Sequence, residues 1–202
     1  MLAGIASSRR RTPSWDASVS GEGCEPTGGS VAGTATGRVL EIGAGTGFNF
    51  PYYLESVSLV ATDPDPFMLR WARKKAKELG LKVEFHQCPA EMLPLPDASF
   101  DTVISTLTLC TVRNPVRALS EIKRILKPDG IFRFIEHVQA DHGFHKWVQN
   151  RLTPFWRWIG AGCHLNRSTA GNIESAGLQI FELQQHRMPL VPFIIGAAKL
   201  PN

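Results

Sequence analysis

The 202-residue chain contains no run of eighteen unbroken apolar residues, so it offers no membrane-spanning helix. It has only four cysteines, Cys24, Cys88, Cys110 and Cys163. They are widely scattered, with no CxxC pair and no Cys/His group at metal-ligand spacing along the chain. A disulfide framework and a zinc module are therefore not expected, and no metal is expected. Reduced thiols in an intracellular, cytoplasmic setting are the expectation. The net charge is only +4. Nucleic acid is not an expected partner. There is no internal repeat. What remains is 43% hydrophobic and 20% charged, which suits one globular domain.

Residues 1–36 differ from the rest. They hold Arg9, Arg10 and Arg11, many Ser, Gly and Thr, and little apolar periodicity. They read as a disordered tail or as a targeting segment for a plastid or mitochondrion, the acidic Asp16, Glu22 and Glu25 speaking against a long transit peptide. From residue 37 to 202 strand-like and helix-like segments alternate. RVLEI (38–42), 59–62, 82–86, 102–106 and 131–136 have strand character. FMLRWARKKAKEL (67–79), ending at Gly80, and VRALSEIKRIL (116–126) have helical spacing. The alternation predicts an α/β domain of Rossmann-like type, a mostly parallel sheet with helices on both faces. Segments 179–185 and 193–198 predict a closing C-terminal antiparallel hairpin. The domain thus divides into a core (38–137), an aromatic segment (138–170) and the closing hairpin region (171–202). The aromatic segment carries Trp147, Phe155, Trp156 and Trp158 around Pro154. It reads as a core-packing insertion, as a lid over a substrate pocket, or as a peripheral membrane contact.

The strongest chemical signal is Val39-Leu40-Glu41-Ile42-Gly43-Ala44-Gly45-Thr46-Gly47. A strand runs into a loop with glycine at every second position, where backbone can turn sharply and a ligand can approach without a Cβ in the way. The GxGxG spacing differs from the GxGxxG of dinucleotide binders, whose helix N-terminus receives a pyrophosphate, so an NAD-dependent dehydrogenase is disfavoured. S-adenosyl-L-methionine has no phosphate and needs such a close approach for its methionine portion. Glu41 can orient donors around the loop. Asp63, at the end of the second strand, can accept both hydroxyls of a ribose. Ala90-Glu91-Met92-Leu93-Pro94 follows the third strand, where the adenine end of such a cleft would lie.

RVLEIGAGTG, the Asp63 strand end, AEMLPLPDASFDTVIS and LSEIKRILKPDG together resemble the methyltransferase type 11 family, over residues 37–198. The resemblance implies a class I S-adenosylmethionine-dependent methyltransferase. It implies that Glu41, Gly43, Gly45 and Gly47 line the methionine side, that Asp63 holds the ribose, and that Ala90 and Glu91 flank the adenine, with Thr106 added to the cofactor contacts. Pro89 stands where family members often carry Asp. TLTLCTV (106–112), Glu136-His137-Val138 and GCHLNR (162–167) are similar to the subgroup of methyltransferase-like seven proteins, which methylate small thiols on sulfur. Animal members carry an N-terminal membrane anchor and helices ahead of the first strand, and neither is recognisable in this sequence.

Methyl transfer is an in-line displacement in which alignment of the reactants matters most. A thiol acceptor is mostly protonated at neutral pH, so a base would help. His137, after the fifth strand, is the candidate base, since imidazole titrates near neutral pH; a structural histidine is the competing reading. Cys110, Glu136, Trp147, His164 and Arg167 are candidates for the acceptor pocket, with Cys110 read as a pocket-lining residue. Glu136 can also orient the cofactor or the His137 ring. The absence of an NPPY-like run after the fourth strand weakens an amide or exocyclic-amine acceptor. The expected function is methylation of a small molecule, a thiol being favoured. A lipid- or quinone-like O/C-methyltransferase and an inactive interaction module of the same fold are the alternatives. The oligomeric state is not readable from the sequence.

Overall fold

The parallel strands of the sheet are short apolar runs because both of their faces are covered, which removes the polar alternation of a half-exposed strand. The computed structural model describes residues 29–140, 143–159, 162–186 and 191–201, without the side chains of 29, 30, 145 and 154–159. A one-turn helix α1 (Gly29–Ala32) precedes β1 (Arg38–Ile42). A 3-10 turn (Phe50–Tyr52) leads to β2 (Ser58–Thr62), α2 (Pro66–Leu79) and β3 (Val83–His86). Then come β4 (Phe100–Thr106), α3 (Pro115–Ile125), β5 (Leu126–His137), α4 (Gly143–Ile159), α5 (Thr169–Ser175), β6 (Gln179–His186) and β7 (Phe193–Lys199). The sheet order is β3-β2-β1-β4-β5-β7-β6. The first five strands are parallel, β7 lies antiparallel between β5 and β6, and helices cover both faces.

Side chains alternate across the sheet as a pleat requires. Leu40, Ile42, Val103, Phe132 and Phe134 pack on one face with Ala118, Leu119 and Ile122 of α3 and Ile173 of α5. Val39, Leu59, Ala61, Ile104 and Ile135 pack on the other with Ala32 of α1 and Ala72 and Ala76 of α2. Proline at the first helical position, a capping side chain before it (Asp65, Asn114) and, for α2, the left-handed Gly80 (φ 68°) after it set the helix limits locally.

Two boundaries differ from the sequence reading. Residues 1–28 lie outside the described part, but the expected tail does not extend to residue 36. Val31, Ala32 and Ala35 are buried with Phe50 of the 3-10 turn and Ile135 of β5, because this small-residue segment fits flat on the sheet. β5 begins at Leu126, with an irregularity in its pairing to β4 between Phe100 and Thr102, rather than after a turn at 128–130. The segment 138–170 contains α4, anchored by the buried Gln149. Its amide donates to the carbonyls of Val138 (3.1 Å) and Leu165 (2.7 Å) and accepts from the Ala140 N–H (2.9 Å).

Candidate active site

The strand order reverses between β1 and β4. Crossovers there leave in opposite directions, opening a crevice at the carboxyl ends of the strands. The glycine loop leaves β1 at this point. Gly43, Gly45 and Gly47 have φ of 63°, 54° and 78°, the left-handed region that side chains disfavour. They differ in surroundings. A Cβ on Gly43 would collide with the Thr108 side chain, and one on Gly47 would meet the Phe50 ring at 2.7 Å, whereas one on Gly45 would meet nothing within 4 Å. Asp63 braces the loop from the end of β2. One carboxylate oxygen accepts from the Gly45 N–H (2.9 Å), the other from the Asp65 N–H (2.9 Å).

Beneath the loop Glu41 is buried. Asn49 Nδ2 donates to one of its oxygens (2.8 Å) and the Tyr53 hydroxyl to the other (3.0 Å). Burial pushes the Glu41 carboxyl up to about 7, against the pull of those two donors. Burial and the neighbouring Glu41 raise the Tyr53 phenol. Asn49 Nδ2 also reaches Thr106 Oγ1 (3.0 Å), while its buried Oδ1 has no hydrogen-bond partner. An orphaned acceptor and the open face at Gly45 are features that a ligand with N–H donors would complete. Asn49 and Tyr53 were not singled out in the sequence, because nothing local marks a residue whose partner is 8 or 12 positions away. Ala90 is buried; Glu91 turns to accept from the Asn114 N–H (3.0 Å) at the start of α3. A groove of about 530 Å³ beside the loop is lined by Thr46, Gly47, Phe48, Tyr52, Trp71 and Lys74. None of these residues belongs to a strand, so it is a neighbour of the crevice rather than the crevice itself.

The second half of the site is the loop after β4. It starts at Leu107, whose φ of 54° is strained for a branched side chain. Glu136, fully buried near the end of β5, accepts from Ser105 Oγ (2.5 Å) and from the N–H groups of Thr108 (3.1 Å), Leu109 (2.9 Å) and Cys110 (3.0 Å). Burial raises its carboxyl despite these donors. Arg167 donates to the carbonyls of Leu109 and Val112 (2.6 Å to the latter). Two candidates for the acceptor pocket are thus committed to holding this loop, because a buried charge needs the backbone dipoles that surround it. Trp147 is 60% exposed and stacks on Phe144. The side chains of Phe155, Trp156 and Trp158 lie outside the described residues.

The loop delivers Cys110 to within 3.4 Å (Sγ to Sγ) of Cys163, and His137 Nδ1 lies 3.4 Å from Cys163 Sγ. The Cys110 thiol also has the Leu107 carbonyl in reach at 3.3 Å. His164 closes the corner, its N–H donating to the Cys110 carbonyl (2.8 Å). The hydrogen bond from Cys110 and the His137 ring favour the Cys163 thiolate and pull its thiol down. Cys110 is driven up by Cys163, by burial and by Glu136. Cys88, Cys110 and Cys163 are all free thiols. The chain has no Cys/His group at metal-ligand spacing, yet the fold assembles one in space. Cys110, His137 and Cys163 offer ligand atoms all within 4.8 Å of one another. Separations of 27 and 26 positions hide such a group from any reading of spacing; that Cys110 and Cys163 lie in the TLTLCTV and GCHLNR runs was the nearest signal.

Residues 40–134 match the family model described as a methyltransferase domain. The chain is 37% identical over 177 residues to the thiol S-methyltransferase TMT1B of Homo sapiens, covering 81% of this chain and 72% of that one. The chain belongs to the class I S-adenosylmethionine-dependent methyltransferases. It falls in the subgroup of these relatives and is an enzyme whose cofactor is S-adenosyl-L-methionine. The thiol S-methyltransferase TMT1A of Homo sapiens is 35% identical, over 75% of this chain and 64% of its own. A phosphatidylethanolamine N-methyltransferase of Cereibacter sphaeroides is 36% identical over 61% and 62%. The crystal structure of YcgJ from Bacillus subtilis shares the fold, with a TM-score of 0.69 at 18% identity over 88% of this chain and all of that one. No helix among the described residues is long and apolar enough to cross a membrane.

Proposed function

We propose that this methyltransferase methylates the sulfur of a small thiol. The observation that carries the reading is the thiol and imidazole group of Cys110, His137 and Cys163 at the carboxyl ends of β4 and β5, beside the glycine-loop crevice. The names of the relatives TMT1B and TMT1A support it. When bound, the cofactor supplies an electrophilic methyl group on a sulfonium, a good leaving group.

The residues of the chain do the rest. Gly43, Gly45 and Gly47 admit the methionine portion, with Glu41 and the Asn49 Oδ1 acceptor as partners for its amino group. Asp63 takes the ribose hydroxyls with the lone pairs its two backbone donors leave unused, Ala90 borders the adenine, and Thr106 and Asn49 bridge the two halves. Glu136 and Arg167 position the loop that carries Cys110. His137 acts from within a thiol group, since its Nδ1 is engaged by Cys163, rather than as a lone base.

Transfer of labelled methyl to a panel of alkyl thiols, phenols and phospholipid amines tests the proposal. Label on thioethers is the expected result; label confined to phenols or phospholipid amines refutes it. A second reading, a lipid acceptor met at a membrane surface, has two supports. Phe144 and Trp147 are exposed side by side on α4, and one relative is a phosphatidylethanolamine N-methyltransferase.

A further inference from the structure

Three groups that each bind soft metal ions converge without a disulfide, and a sizeable part of the fold is devoted to holding them together. We propose that Cys110, His137 and Cys163 form a three-ligand site for a thiophilic divalent cation, zinc above all, whose fourth position receives the acceptor thiol. The second half of this statement rests on the thiol reading given above; the first half stands on geometry.

Zinc binds sulfur at about 2.3 Å and imidazole nitrogen at about 2.0–2.1 Å, so the edges of a tetrahedral site measure roughly 3.5–3.8 Å. The Cys110–Cys163 and His137–Cys163 distances are both 3.4 Å, and all the ligand atoms fall within 4.8 Å. Movements of a few tenths of an ångström on two edges, and a larger closure on the third, bring the three atoms onto one ion. Two thiolates neutralise the dication, which makes the burial of Cys110 and Cys163 tolerable. A Cys2His set of three protein ligands is the pattern of zinc sites that keep one position for an outside ligand.

The support around the group resembles the outer shell of a metal site. Glu136 holds the Cys110 N–H, Arg167 clamps the carbonyls on either side of that residue, and the His164 N–H fixes its carbonyl. Leu165 and the partly buried Val191 pack against the two cysteines and keep the surroundings apolar. Such a shell sets ligand direction before the ion arrives.

The chemistry is that of a thiol made nucleophilic. A free alkyl thiol is mostly protonated at neutral pH, and a thiol on a divalent cation is deprotonated outright. The incoming thiol binds as thiolate and releases its proton to the buffer. Its sulfur then forms the new bond to the methyl carbon as the carbon–sulfonium bond breaks. The product thioether is neutral, a weaker ligand, and leaves. Zinc changes no oxidation state, and no further reactant is needed.

The test uses the full chain, purified anaerobically under reductant. Metal analysis is expected to give about one zinc per chain. Cobalt(II) substituted for zinc should show thiolate-to-cobalt charge transfer and the intense visible bands of a tetrahedral site. Cys110→Ser, Cys163→Ser and His137→Ala should each weaken cobalt binding more than tenfold, whereas Cys88→Ser should leave it unchanged. Binding of S-adenosylhomocysteine by each variant verifies that it is folded. Addition of ethanethiol should shift the visible bands. Absence of a thiolate band at any cobalt ratio overturns the site, as do equal cobalt affinities in the folded serine variants or a Cys110–Cys163 disulfide in the reduced preparation. A cobalt spectrum indifferent to ethanethiol overturns the fourth-ligand half. The methyl-transfer panel scores the acceptor separately, so loss of the thiol reading there is distinguishable from loss of the metal site.

Discussion

Glu41 allows a sharp test of the electrostatics beneath the glycine loop. Its carboxyl rises from 4.5 to about 7 on folding because burial removes water from the charged form faster than Asn49 and Tyr53 replace it. A carboxyl raised in this way binds a proton in the folded chain between about pH 4.5 and 7, where the unfolded chain has already released it. Its contribution to stability is therefore complete below about pH 4.5, falls as pH rises, and is gone above about 7. At about 1.4 kcal/mol per pKa unit, the ligand-free protein should lose roughly 2–3 kcal/mol between pH 5 and pH 8 through this group alone. Glu41→Gln keeps the shape, lets the amide oxygen accept from Asn49 and the amide nitrogen donate to the Tyr53 oxygen, and cannot titrate. Urea unfolding of both proteins at pH 5, 6, 7 and 8, without cofactor, measures the difference. The other titrating groups are common to both chains and cancel. The variant should gain on the parent by roughly 2–3 kcal/mol from pH 5 to pH 8. A gap that stays constant with pH, or one that moves the other way, would refute the burial argument and make Glu41 an ion-paired carboxylate.

Gly43→Ala should cost on the order of 3 kcal/mol of stability, left-handed strain adding to the overlap with Thr108; a urea midpoint near the parent's would contradict this. Gly45→Ala, whose Cβ meets nothing within 4 Å, should cost only about 1–2 kcal/mol in folding yet weaken S-adenosylmethionine binding at least tenfold by calorimetry. Unchanged affinity would move the ligand away from this loop. Asp63→Ala strips two backbone N–H groups of their acceptor and should weaken cofactor binding by about 1.5–3 kcal/mol, and an unaltered dissociation constant removes Asp63 from the site. Glu136→Gln turns an amide N–H₂ toward backbone donors and should lower both melting temperature and turnover while leaving cofactor affinity intact. Parent-like turnover would show that the loop carrying Cys110 needs no such anchor.

Much of this enzyme is determined by local chemistry and so was readable along the chain. The glycines of the loop, the proline-first helices, the Gly80 stop and the apolar runs of the parallel strands each act within a few residues, and together they specify the α/β order and the crevice where the strand order reverses. The late hairpin was legible from its own alternation, although its insertion of β7 between β5 and β6 is a matter of sheet assembly. Other features exist only in three dimensions. The packing of Val31, Ala32 and Ala35 on the sheet, the capture of the loop after β4 by Glu136 and Arg167, and the engagement of Asp63 with the Gly45 N–H all depend on partners far apart in sequence or on closed geometry. The Cys110, His137 and Cys163 group is the extreme case. Its members come from a loop, a strand end and the segment after α4, and no spacing rule relates them. They meet because the parallel sheet brings the ends of β4 and β5 together, and because Gln149 ties α4 to the Leu165 carbonyl and so brings Cys163 back over them.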